Sequence, residues 1–213
     1  MTILSKKTLL ATVASTVIMT SAVVNAYAGD DNAPFNGGYI GGALTLDKYN
    51  NGATVTPAIT TTLTGKKKVG GGIYGGFGAQ MDQIYFGLEG GFYLNRNPAP
   101  TLSFGTTNTG LKAKNTLDLS GRVGFVADRA LFYGLGGFTS TKFDTFGLTT
   151  NASKRLSGFR YGGGVEFAIT PKISLRAEYT RANYKKWSVA SGTDNITFDP
   201  NDNRFLLGAT LRF

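Results

Sequence analysis

From Asn203 to Phe213 the chain alternates at every second residue. Phe205, Leu207, Ala209, Leu211 and Phe213 share one face, while Arg204, Gly208, Thr210 and Arg212 share the other, with only Leu206 out of pattern. A soluble domain rarely ends on an amphipathic strand whose apolar face runs to a bare terminal aromatic. The simplest solvent for such a face is hydrocarbon.

The beginning of the chain points to export. Lys6 and Lys7 precede a moderately apolar stretch, residues 8–24, which runs into Ala26-Tyr27-Ala28 and then the polar Gly29-Asp30-Asp31. Thr12, Ser15, Thr16, Thr20 and Ser21 interrupt that stretch and make it short for a membrane-spanning helix. It reads as a secretory signal peptide, residues 1–28, with cleavage expected after Ala28. Residues 29–213 then form one domain, with no long apolar run to supply a helical span.

A chain without apolar helices enters a bilayer only as a closed barrel, because each unpaired backbone amide in hydrocarbon costs several kcal/mol. The alternation continues through the mature sequence. Ile84, Phe86, Leu88, Phe92 and Leu94 oppose Tyr85, Glu89 and Tyr93, and Leu117, Leu119, Val123 and Phe125 oppose Asp118, Ser120 and Arg122. Phe159, Tyr161, Val165 and Phe167 oppose Arg160 and Glu166, and Ile173, Leu175, Ala177 and Tyr179 oppose Arg176, Glu178 and Thr180. Three glycine-rich segments, about residues 37–46, 69–80 and 131–142, complete a prediction of eight antiparallel strands, an all-β transmembrane barrel. Thirty glycines, fifteen phenylalanines and ten tyrosines suit crowded barrel walls. Residues 81–83, 127–129 and 169–172 read as short turns, and residues 47–68, 96–114, 143–155 and 182–202 as long loops. Short turns face the periplasm and long loops the exterior.

At Ser174-Leu175-Arg176-Ala177-Glu178-Tyr179-Thr180-Arg181 and the closing Phe-Leu-Leu-Gly-Ala-Thr-Leu-Arg-Phe, the chain resembles the OmpA-type, opacity-like family of small outer-membrane β-barrels. The resemblance implies location in the outer membrane of a Gram-negative bacterium. It also implies that Phe205, Leu207, Ala209, Leu211 and Phe213 form an assembly signal, read by barrel-assembly machinery after periplasmic chaperones deliver the chain. Members with a further periplasmic domain grip peptidoglycan; no such tether is expected here. Surface antigens and adhesins are among the members, so a structural, antigenic role with loops for adhesion or environmental contact is expected. The alternative is a narrow pore for small solutes.

Nothing in the chain organises itself for catalysis. Histidine is absent, and outer-membrane enzymes of the familiar families use one as base or partner. Glu166 and Glu178 could share the lumen, but Arg160 and Arg176 beside them give ion pairing as the simpler role. Gly70-Gly71-Gly72-Ile73-Tyr74-Gly75 has dinucleotide-loop spacing without a helix to follow, and Gly65-Lys66-Lys67-Lys68 lacks the phosphate-loop hydroxyl. With no cysteine, and with Asp194, Asp199 and Asp202 off calcium-loop spacing, no metal site and no cofactor are expected. The formal charge of +9 comes without a nucleic-acid motif, so nucleic acid is not an expected partner.

Two sets of charges carry the remaining expectations. Glu89, Asp118, Arg122, Arg160, Glu166, Arg176, Glu178, Arg204 and Arg212 fall on inward positions and are expected to close the lumen, with Glu166 paired to Arg176 across the 169–172 turn. Lys66, Lys67, Lys68, Lys112, Lys114, Lys154, Arg155, Lys185 and Lys186 fall near outer strand ends, where a collar would meet outer-membrane lipid and the phosphates of lipopolysaccharide. Phe104, Phe143, Phe146, Trp187 and Phe198 are either loop patches for a host or environmental ligand, an interfacial girdle, or packing within a loop.

Overall fold

The computed structural model describes residues 33–56, 59–64, 68–104, 107–146, 153–191 and 194–213; the leader and its cleavage point lie outside them. The described strands are β1 (Gly37–Thr56), β2 (Ile59–Thr64), β3 (Lys68–Met81), β4 (Ile84–Phe104), β5 (Thr107–Ala127), β6 (Ala130–Phe146), β7 (Ser153–Ala168), β8 (Ile173–Tyr184), β9 (Trp187–Ser191) and β10 (Asp194–Arg212). They form one antiparallel sheet, and β1 pairs with β10 to close it. Both β2 and β3 pair with β1, and both β8 and β9 with β10, so each duo is one interrupted wall strand and the barrel has eight.

Period-two patterning dictates which side each residue takes. Ile40, Leu44, Ile73, Leu88, Leu119, Val123, Phe138, Phe159, Leu207 and Leu211 stand exposed on the outer wall, where the solvent is lipid. Three short turns join the strands at one end. Asp82 and Asp128 adopt positive φ angles, 53° and 55°, in two of them; Asp is among the residues that tolerate this left-handed conformation. In the third, the Thr170 hydroxyl accepts the Ile173 amide at 2.9 Å.

The outer half differs from the sequence expectation. Much of what read as loop continues as hairpin: β1 runs ten residues past Leu46 to Thr56, and β4 and β5 are 21 residues each, about twice a membrane crossing. The sequence of these extensions turns to Thr, Asn and Gly, so its alternation fades although backbone pairing continues. Between β3 and β4 the register stops at Gly71–Leu94, and between β7 and β8 at Gly158–Tyr184. The wall above the membrane therefore divides into one lobe of β2, β1, β10 and β9 and another of β4 to β7.

Candidate functional site

The lumen is filled from the bottom upward. At the turn end Phe35, Tyr85, Val126, Leu131, Tyr133 and Ala168 form an apolar floor. Phe35 precedes β1 and is fully buried; its ring meets that of Tyr85 edge-on at 6.4 Å. Its carbonyl accepts Arg212 Nη1 at 2.6 Å, and its neighbour Asn36 accepts the Gln80 amide at 2.6 Å. The segment before the first strand is thus drawn into the mouth as a stopper.

Above the floor lies an inner ionic layer. Arg122 joins Glu89 at 3.3 Å and Glu166 at 3.1 Å, with its guanidinium 3.8 Å from the Tyr133 ring centroid. Arg176 donates to both oxygens of Glu89, at 2.5 and 3.0 Å, and stacks 3.5 Å over Tyr74. Arg212 reaches Glu166 at 2.8 Å, the Ser174 hydroxyl donates to the same carboxylate at 2.6 Å, and Tyr133 donates to Glu178 at 3.0 Å. Small residues opposite the rings make this possible: a Cβ at Gly41 would collide with Tyr74, and one at Gly72 with Tyr93.

An outer ionic layer follows. Arg204 joins Asp47 at 2.6 Å and Asp118 at 3.0 Å, over the Tyr93 ring. Arg160 joins Asp202 at 2.9 Å and Asp118 at 3.3 Å and donates to the Thr180 hydroxyl at 2.9 Å. An aromatic roof closes the top, where Phe143 packs edge-on against Tyr49 at 6.1 Å and Tyr184 at 5.4 Å.

Two expectations are corrected here. Glu166 and Arg176 are cross-strand partners but not an ion pair: their side chains project across the narrow lumen rather than along the wall, so Arg176 meets Glu89 and Glu166 meets Arg122 and Arg212. The balance of four carboxylates against five guanidiniums also changes, because Asp47 and Asp202, read as loop residues, lie on β1 and β10 and are fully buried. Among the described residues the lumen holds six carboxylates (Asp47, Glu89, Asp118, Glu166, Glu178, Asp202) against Arg122, Arg160, Arg176, Arg204 and Arg212. Of the three roles open to the outer aromatics, burial of Phe143 on β6 and Trp187 on β9 answers to packing; the side chains of Phe104, Phe146 and Phe198 lie outside the described residues. Parity alone would have placed Asp47, two residues beyond Thr45 on the same face; nothing short of the fold marks Phe35.

On the rim, Lys112, Lys154, Arg155, Lys185 and Lys186 are exposed. Lys114 pairs with Asp144 at 2.6 Å, where the hydrogen bond holds that carboxyl below its usual range, and Lys186 lies 3.5 Å from Asp199. Lys154 sits 5.7 Å from the Trp187 ring, and Arg155 donates to the Ser140 carbonyl at 2.9 Å and to Asn115 at 3.1 Å. Lys142 is the cross-strand partner of Arg155. Lys66 and Lys67 lie outside the described residues, and Lys68 opens β3 opposite Asp47. The residues of the expected assembly signal, Phe205, Leu207, Ala209, Leu211 and Phe213, face outward, and Gly38 and Phe213 exchange backbone hydrogen bonds at 3.0 and 2.9 Å.

Comparison with known proteins gives this architecture a family. The 22 kDa outer membrane protein of Rhizobium leguminosarum bv. viciae is 29% identical over 176 residues, 82% of this chain and 77% of that one. The 31 kDa outer-membrane immunogenic protein of Brucella suis biovar 1 is 28% identical over 163 residues, 68% of this chain and 66% of that one. Neisserial surface protein A, a solved structure, is similar over 81% of this chain and 97% of its own at 14% identity, with a TM-score of 0.46. The family profile of the outer membrane protein beta-barrel domain matches residues 12–213. The chain belongs to that family, and its place is the outer membrane of a Gram-negative bacterium.

Proposed function

We propose that the protein is a non-catalytic surface barrel: a lumen-closed scaffold that holds two extended β-lobes outside the cell, where they act as an antigen and contact environmental or host ligands. The observation that carries this reading is the filled interior, two ionic layers between an aromatic floor and roof. An eight-stranded barrel is about filled by its own side chains, and bidentate guanidiniums stacked on tyrosines are a fixed structure rather than a hydrated path. Chemistry open to the outside is then confined to the lobes and the cationic rim, which associates with the phosphates of lipopolysaccharide. The immunogenic Brucella relative supports a surface-antigen role. Assembly machinery would read the β10 face on the way.

Planar-bilayer recording of the purified protein tests the reading. Silence or rare small openings is expected, whereas steady nanosiemens-scale conductance would replace it with the pore. A binding screen against matrix proteins, with versions lacking single lobes alongside, tests the adhesive part.

A further inference from the structure

Among the described residues, two shallow apolar grooves on the outer wall lie on different strands. One, on β5, β6 and β7, is lined by Gly121, Val123, Gly134, Gly136 and Tyr161. The other, on β1, β3, β8 and β10, is lined by Ile40, Gly42, Ile73, Ile173, Ala209 and Leu211. Each is bounded by residues whose side chains face the hydrocarbon. They differ in what stands above them.

Following the outward positions of β6 away from the turns gives Gly134, Gly136, Phe138, Ser140 and Lys142; on β7 they are Gly163, Tyr161, Phe159, Ser157 and Arg155. Phe138 and Phe159 pack edge-on at 6.2 Å as an interfacial pair above the groove. Immediately beyond, Arg155 is braced between the Ser140 carbonyl of β6 and Asn115 of β5, beside its partner Lys142, with Lys112 and Lys114 on the next strand. Asp144 is the one carboxylate described in this group, and Lys114 occupies it. Above the second groove the corresponding positions are Lys48 and Asn50 on β1, Asn201 and Asn203 on β10, and on β8 the exposed Arg181 opposite Asn203, a collar with two cations spread over three strands.

From Gly136 to Lys142 is about 20 Å along the strand at about 3.3 Å per residue, or about 15 Å along the bilayer normal at a tilt near 40°. That is about half the hydrocarbon thickness, the depth of one leaflet's acyl chains. We infer that the β5–β7 wall is a specific binding site for one acylated, bisphosphorylated saccharolipid of the outer leaflet, lipid A. An acyl chain lies in the glycine groove, and a phosphate meets Lys142 and Arg155 with Lys112 and Lys114 beside them. Charge density selects this face over the β1–β10 face: Lys112, Lys114, Lys142 and Arg155, less Asp144, outweigh Lys48 and Arg181. The inference rests on the lipopolysaccharide-binding rim proposed above and narrows it to one wall.

The test uses the full mature chain in phosphatidylcholine nanodiscs, with hexa-acyl bisphosphorylated lipid A as probe. Lys142→Gln with Arg155→Gln should weaken binding at least tenfold, and the loss should shrink with monophosphorylated lipid A. Gly121→Leu, whose added Cβ finds its nearest atom at 3.9 Å, should fold and weaken the same probe several-fold by filling the groove. Lys48→Gln and Gly42→Leu, the latter in open space, are the matched controls on the other face and should bind like the parent. Parent-like affinity in the Lys142/Arg155 variant overturns the site. If replacing Lys66, Lys67, Lys68, Lys185 and Lys186 still lowers binding in that case, the general rim stands and only the site falls. If no rim replacement lowers it, both fall. Equal losses from Lys48→Gln and the Lys142/Arg155 pair would mean an unselective collar and also reject the site.

Discussion

Arg176 ignores the carboxylate nearest to it along the wall. Its cross-strand partner is Glu166, yet both its terminal nitrogens close on Glu89 from β4, while Glu166 is taken by Arg122 and Arg212. Glu89→Gln should therefore leave a buried guanidinium short of its main partner and cost about 3–5 kcal/mol. Combining it with Arg176→Met should recover part of that loss. The coupling in a double-mutant cycle should exceed that of Glu166 with Arg176, read as shifts in the urea midpoint for the barrel in lipid vesicles.

The outer layer is short of cations, with Asp47, Asp118 and Asp202 sharing Arg160 and Arg204. Removing a guanidinium should accordingly hurt more than neutralising an acid. Arg160→Met leaves three carboxylates around one arginine, and its unfolding midpoint should fall well below that of Asp202→Asn, which brings the layer into balance. Equal midpoints would show that charge count does not govern this layer.

The Phe35 stopper predicts a change in access rather than in fold. Since the chain has no cysteine, Ala168→Cys places a single thiol in the floor. It should resist a charged maleimide in the otherwise unchanged protein and react when Phe35→Ala is added, with the heat-modifiable folded form retained. Phe35→Leu should restore protection. Equal labelling in all three would mean that the floor is sealed without Phe35.

Assembly should depend on Phe213, which directly follows β10. Phe213 pairs with Gly38 through both backbone bonds, and its ring covers that glycine. Deleting it removes the end of the closing ladder, so the heat-modifiable fraction in isolated outer membranes should drop; unchanged amounts would remove this role.

Much of this structure is legible in the sequence because a barrel wall has two solvents and a period of two. Leu88, Leu119, Val123 and Leu175 face lipid where alternation puts them, and Glu89, Asp118, Arg122 and Arg176 face inward for the same reason. The reading stops where the solvents cease to differ. At the outer rim the outward face passes from lipid to water, and polar Lys48, Asn201 and Asn203 flank the buried Asp47 and Asp202, so two carboxylates on paired strands read as loop residues. Partner choice was hidden for another reason: adjacent strands determine cross-strand neighbours, whereas the Arg176–Glu89 contact spans the lumen and depends on the stagger of the closed barrel. Phe35 carries no pattern at all, being one aromatic among polar residues.

The β1–β10 pair also sets the order in which the interior can form. Its register joins Tyr39 to Arg212 and Thr56 to Asn195, contacts between opposite ends of the chain, whereas the 82–83 and 128–129 turns join immediate neighbours. Local hairpins come early and distant pairings late. Until that junction forms, Arg204 is not presented to Asp47, nor Arg212 to the Phe35 carbonyl, and a half-built wall exposes carboxylates and guanidiniums that hydrocarbon cannot solvate. An insertion intermediate must therefore keep its concave side wet, and the interior dries only when the two ends of the chain meet.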